Sequence, residues 1–226
     1  VKYYYNNVPG EGLCRNNLIY TSLISDDAKT FVQWYYNDTE YHKNKNQVVE
    51  SHLMKEKWNR EVKFLSLMSV KYPNLVPKYT LDTGERKIYL EVDGPDFWEQ
   101  AGCLTENYDK VLPDWQEQML EIIQAHKDLG IYKYSMHPSS YFVVDGKLKS
   151  INYFFCYTND DEPVTIREHL SHISENRQKD LLPKMTAMGL ELDKPVDFKL
   201  AQHLCFESFR TNYPDDFIEE AKQIYV

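Results

Sequence analysis

Cysteine is scarce in this chain, and the four present lie far apart: Cys14, Cys103, Cys156 and Cys205. There is no CxxC and no Cys/His pair at zinc spacing, so no structural metal is expected. The expectation is a reduced, intracellular, cytoplasmic protein with free thiols. Long apolar runs are also lacking. No stretch approaches the ~20 residues of a membrane span, and Val1 to Asn7 has none of the apolar character of a signal peptide. Positive charge is short as well: Lys+Arg number 26 against 35 Asp+Glu, for a net charge of −9 and a pI near 5.3. No basic cluster stands out along the sequence, which excludes a general nucleic-acid binder. No internal repeat or low-complexity tract appears.

What is present is ordinary for a globular protein of 226 residues: 42% hydrophobic and 27% charged. That length suits one domain, or one domain built as two lobes. The 18 tyrosines, within an aromatic content of 14%, imply a well-filled core and name no function.

Strand-forming segments open the chain, at residues 3–8, 17–24 and 30–36, separated by Pro9-Gly10-Glu11-Gly12 and by Asp26-Asp27. Residues 37–53 are polar and read as a loop. Trp58, Val62 and Leu65 then mark a helix ended by Pro73. Leu75 to Leu81 and Lys87 to Val92 flank a turn and predict an antiparallel hairpin. Trp115, Met119, Ile122, His126 and Leu129 trace one face of a helix over 114–129, with Asp114 as N-cap and Gly130 just past its end. Asp145-Gly146 predicts a short hairpin between residues 141 and 155. The remainder reads as three helices broken at Pro183, near Pro195 and at Pro214. The order is α+β, with a β-rich first part and a helical remainder.

Four segments in this order resemble the protein-kinase-like fold. Arg60-Glu61-Val62-Lys63-Phe64-Leu65 is similar to the kinase αC segment. Ile88-Tyr89-Leu90-Glu91-Val92-Asp93 is similar to the fifth strand entering the adenine-holding hinge. His126-Lys127-Asp128-Leu129-Gly130-Ile131 resembles the end of helix αE, and residues 132–154 resemble a catalytic loop, a hairpin and a DFG turn, with Pro138 as the loop proline. The resemblance implies a β-rich N-lobe over 1–93 and a truncated helical C-lobe over 94–226, similar to small kinase-like proteins of tailed bacteriophages. It places Gly10 and Gly12 in the glycine-rich turn, with Arg15 at the third glycine position, and Glu91 and Asp93 at a possible nucleotide cleft.

The catalytic letters depart from the family. Lys133, Tyr134 and Ser135 stand at the H-R-D positions, so Ser135 replaces the catalytic aspartate. Ser140 replaces the metal-binding asparagine, and Asn152-Tyr153-Phe154 replaces DFG. Strand three offers Gln33, or by alternation Tyr35, in place of the phosphate-gripping lysine that would pair with Glu61. A serine is no general base near neutral pH, and hard cations want anionic oxygens. These departures imply a pseudokinase with no cofactor, acting as a binding or regulatory module for a protein partner, with neither nucleic acid nor membrane as a partner. The alternative is an ATP- and Mg²⁺-dependent transferase that relocates its chemistry to Lys133, His137, Lys147, Asp145 or Asp93. A third reading keeps only an α+β interaction protein with exposed tyrosines.

Each remaining feature has a plainer reading. Glu61 suits a solvated helix face as well as a buried pair. His126 reads as a core histidine. His137 beside Ser139 and Ser140 lacks the elbow and carboxylate of a nucleophilic site. His169 and His172, with Glu168, lack a third metal ligand. Asp160-Asp161-Glu162 reads as a solvated turn, and Trp34-Tyr35-Tyr36 as core.

Overall fold

A computed structural model describes residues 2–4, 20–35, 51–170 and 175–226. The fold is α+β, and the chain divides into two compact units: residues 1–113 with 139–154, and residues 114–138 with 155–226. The units interleave along the chain, whereas the expected lobes meet at a single cut after residue 93.

In the first unit, strands β1 (Lys2–Tyr4), β2 (Thr21–Ile24), β3 (Thr30–Trp34), β4 (Tyr79–Asp82) and β5 (Lys87–Glu91) form an antiparallel sheet of order β1-β2-β3-β5-β4. Register sets its inner face. Ser22 lies opposite Gln33, Ile24 opposite Phe31, and Phe31 and Gln33 opposite Leu90 and Ile88. All six are buried, four of them apolar, as alternation on a one-sided sheet requires. Helix α1 (Ser51–Lys71) lays Met54, Trp58, Glu61, Leu65 and Met68 along one buried stripe at helical spacing. Tyr35 of the β3 end meets Trp58 at 5.6 Å between ring centroids. The short helices α2 (Phe97–Gln100) and α3 (Tyr108–Val111) close this unit. Asp96 caps the first by accepting from the Glu99 N–H at 2.9 Å.

In the second unit, α4 (Trp115–Asp128) buries Trp115, Met119, Ile122, Ile123, Ala125 and His126, close to the face the spacing predicts. Its end is a Schellman turn. Gly130, at φ 71°, donates to Lys127 O, and Ile131 donates to His126 O. At its start, Asp114 makes no capping bond and instead takes both its hydrogen bonds from Gln118. Strand β6 (Tyr132–Lys133) follows.

The chain returns to the first unit for β7 (Tyr141–Val144) and β8 (Lys147–Ser150), joined by Asp145 and Gly146, both at positive φ as a type I′ turn demands. Phe31 and Phe142 meet at 5.0 Å. The second unit resumes with β9 (Cys156–Tyr157), which pairs with β6, and with helices α5 (Ile166–His169), α6 (Glu175–Ala187), α7 (Phe198–Ser208) and α8 (Asp215–Ile224).

The expected break at Pro183 does not occur: α6 runs through it. Proline removes one helix hydrogen bond. Leu181 and Met185 are buried on either side, so packing holds the turn together. Pro195 sits in an isolated bridge with Thr165, and Pro214 precedes α8 as its N-cap. The expectation of free thiols also fails at one residue. Cys103 is disulfide-bonded, while Cys156 and Cys205 are free and buried. Widely spaced cysteines carry no pairing signal in a sequence, because the bond depends on Cα separation in space.

Candidate functional site

The first unit gathers Gln33, Ser140 and Asn152, and adds Tyr20, which no sequence motif marks. Asn152 follows β8 in the left-handed region, φ 69°, a conformation that asparagine tolerates better than most residues. Its Oδ1 accepts from the Tyr20 hydroxyl at 2.6 Å and from Gln33 Nε2 at 3.0 Å. Its Nδ2 donates to Ser140 Oγ at 2.8 Å. Each of the four residues is at most 1% exposed. An amide oxygen offers two lone pairs, and both are taken here. Rings enclose the cluster: Tyr20 meets Tyr35 at 5.6 Å and Phe154 at 5.8 Å. The signal that could have found Tyr20 is its register. It lies two residues before Ser22, on the same face of the sheet.

Two further polar atoms lie on that face. Ser22 Oγ and Gln33 Oε1, on residues in register across β2 and β3, are buried without a hydrogen-bond partner among the described residues. Glu61 is fully buried on α1, so the solvated reading fails for it. The reason is position: 61 falls on the stripe of 54, 58, 65 and 68 that faces inward.

Other expected residues lie elsewhere. Glu91 and Asp93 are exposed, and Asp93 pairs with Lys29 at 2.5 Å. Asp145 and Lys147 are exposed at the hairpin turn. Gly10, Gly12, Arg15, Tyr36 and His172 lie outside the described residues.

Ser135 belongs to the second unit, on a segment whose carbonyls are held one after another. Tyr225 OH donates to Ile131 O at 2.6 Å, and Gln202 Nε2 to Lys133 O at 2.9 Å. Cys205 Sγ donates to Tyr134 O at 2.9 Å, Lys133 Nζ to Ser135 O at 2.5 Å, and Tyr213 OH to Met136 O at 2.5 Å. Four of these five donors come from the C-terminal part of the chain, which offered no motif. Ser135 Oγ is buried without a partner among the described residues, and Lys133 is 1% exposed.

Burial, with Lys133 second, pushes the His126 pKa well below its usual value, as expected of a core histidine. Burial pushes the Cys205 thiol up, against the pull of Lys133 and Arg177, so it stays protonated. His169 is enclosed by Tyr134, Tyr157 and Phe198, and burial lowers its pKa to about 4.

The test for Mg²⁺ rests on donor chemistry. Magnesium takes anionic oxygens in octahedral array. The Asn152 cluster offers an amide oxygen already bonded twice, the two hydroxyls of Tyr20 and Ser140, and a second amide. These residues do not fit the ion. Among the described residues, no group of three or more His, Cys, Asp or Glu is arranged to hold a metal ion.

No family model matches this chain, and no curated protein matches it. Among solved structures it is similar to one described as the bifunctional kinase-methyltransferase WbdD, at 12% identity and a TM-score of 0.43. The similarity covers 93% of this chain and 46% of that one, so the chain spans less than half of that protein's length.

Proposed function

We propose that this chain is a kinase-like module without phosphotransfer activity, serving as a binding or regulatory element for a protein partner. One observation carries the reading: the residue at the metal-binding position, Asn152, spends both lone pairs of its side-chain oxygen on Tyr20 and Gln33. A cation there would break two buried hydrogen bonds, and none of the four residues of the cluster carries a negative charge. Re-forming the site would cost about 1–3 kcal/mol for each polar group left unsatisfied, before any metal is bound. The element order supports the kinase-like part of the reading: antiparallel strands, helix, hairpin, helix, short hairpin and helices, with Gln33 and Glu61 both on buried faces.

The relocated transferase gains no support from the described residues. The Lys133 ammonium is committed to Ser135 O, and Asp93 to Lys29. The test is incubation of the chain with ATP labelled at the γ or the α phosphate, with Mg²⁺ or Mn²⁺. The expected result is no incorporation above that of Asn152→Ala. Metal-dependent incorporation that Ser135→Ala, Ser140→Ala or Asn152→Ala abolishes would overturn the proposal.

A further inference from the structure

Strand β4 ends the five-stranded sheet, and no strand among the described residues pairs with its outer side. The Glu91 N–H donates to Lys78 O, and Tyr79 lies opposite Leu90. Bonded and non-bonded pairs alternate in an antiparallel ladder. Lys78, Thr80 and Asp82 therefore turn their main-chain groups to β5, while Tyr79 and Leu81 turn theirs outward. Among the described residues, those outward groups have no main-chain partner.

Apolar footing lies beside this edge. Leu81 is 40% exposed. The Tyr79 hydroxyl and Ser66 Oγ, 3.0 Å apart, bring the strand alongside α1, where Val70, one turn on from Ser66, is 77% exposed.

Lysines flank the start of this strand. Lys71 closes α1 and Lys78 leads into β4, both exposed; Lys147 and Lys149 take alternate positions on β8. Lys149 Nζ donates at 2.7 Å to the carbonyl of Asn74, in the 3-10 turn between Lys71 and Lys78. Lys147 and Lys78 are close enough to Lys149 to be felt. Burial lowers the Lys149 pKa most; Asp145 opposes it, and Lys147 and Lys78 lower it further.

We infer that this open edge and its lysine surround form a docking site for an extended acidic protein segment, which joins β4 as an added strand. Strand addition draws affinity from main-chain bonds, here to Tyr79 and Leu81, and specificity from alternate side chains. The lysines also select the occupant. A second copy of the same edge would set like charges together, whereas an acidic segment neutralises them. The site is independent of the Asn152 cluster, so it stands or falls separately from the reading given above.

The test uses a fluorescein-labelled peptide of alternating glutamate and valine, titrated with the full chain at about 50 mM and about 300 mM salt by fluorescence polarisation. The expected result is saturable binding that weakens with salt. Leu81→Pro removes the outward N–H without touching the β5 ladder and should abolish binding. Lys78→Glu with Lys147→Glu, both at exposed positions, should weaken it by roughly tenfold or more. Urea midpoints confirm that each variant is folded, and the charge variant serves if the proline variant is not. Absence of binding by the wild type would overturn the inference. So would affinity unchanged in the folded variants, or self-association of the chain that Leu81→Pro removes.

Discussion

Asn152 is held by residues remote in sequence, and this shapes what single substitutions do. Tyr20→Phe deletes one of the two donors to Asn152 Oδ1 while Gln33 remains. The expected loss is about 1 kcal/mol, read from urea unfolding. Ser22→Ala should act in the opposite sense, because its hydroxyl is buried without a partner among the described residues. Removing it should stabilise the fold by about 1 kcal/mol. A stabilising Tyr20→Phe together with a destabilising Ser22→Ala would contradict the hydrogen-bond pattern. His169 supplies a pH dependence. Its folded pKa of about 4 lies below the unfolded value of 6.5, so the unfolded chain takes up the proton first. The contribution is complete above pH 6.5 and is lost as pH falls toward 4. His169→Phe should flatten the pH dependence of the melting temperature across that window. Gln33, Ser140 and Asn152 could be singled out from the order of letters. Tyr20 could not, because only strand register brings it to the cluster.

At the scale of elements, the legible parts were those whose signals are local. The apolar spacing of 115–126 and the glycine at 130 define α4, and Asp145-Gly146 defines the β7–β8 turn. Signals that compete with tertiary packing misled. Pro183 reads as a breaker, yet α6 keeps its course because Leu181 and Met185 are buried. Pro183 itself is exposed, so Pro183→Ala should restore a helix bond without opening a cavity. The expected gain is about 1–3 kcal/mol, visible as a rise in melting temperature, and an unchanged or lower value would contradict the account. Farther along, Glu207 of α7 binds Arg210, Lys184 and Lys222, and Arg210 reaches Asp215 and Glu219. The Arg210 guanidinium, with Lys184 and Lys222 beside it, holds the Glu207 carboxyl well below the usual carboxylate range. This network ties α6, α7 and α8 together. None of it shows as a charge motif, since its members are spread over 39 positions from Lys184 to Lys222.

For the whole molecule, composition gave the sign of the charge and missed its distribution. A chain of net charge −9 still brings Lys78, Lys147 and Lys149 near one another in the first unit, from segments far apart in sequence. The cysteines show the same limit. Their scarcity and spacing could not reveal the bond at Cys103. Alkylation after denaturation without reductant should modify Cys156 and Cys205 and leave Cys103 unmodified until reductant is added. Modification of Cys103 without reductant would contradict the bonded state. None of the described helices is long and apolar enough to cross a membrane, in keeping with the sequence.

The Asn152 cluster is closed by neutral hydrogen bonds, and the proposal that it does not serve as a metal–nucleotide site is tested by thermal melting with ATP, ADP, GTP and AMP, each with and without Mg²⁺ or Mn²⁺. A ligand at 100 times its dissociation constant adds about 2.7 kcal/mol, well above the resolution of such a melt. The account predicts no metal-dependent shift in the wild type. A shift that requires Mg²⁺ or Mn²⁺ and disappears in Asn152→Ala would contradict it.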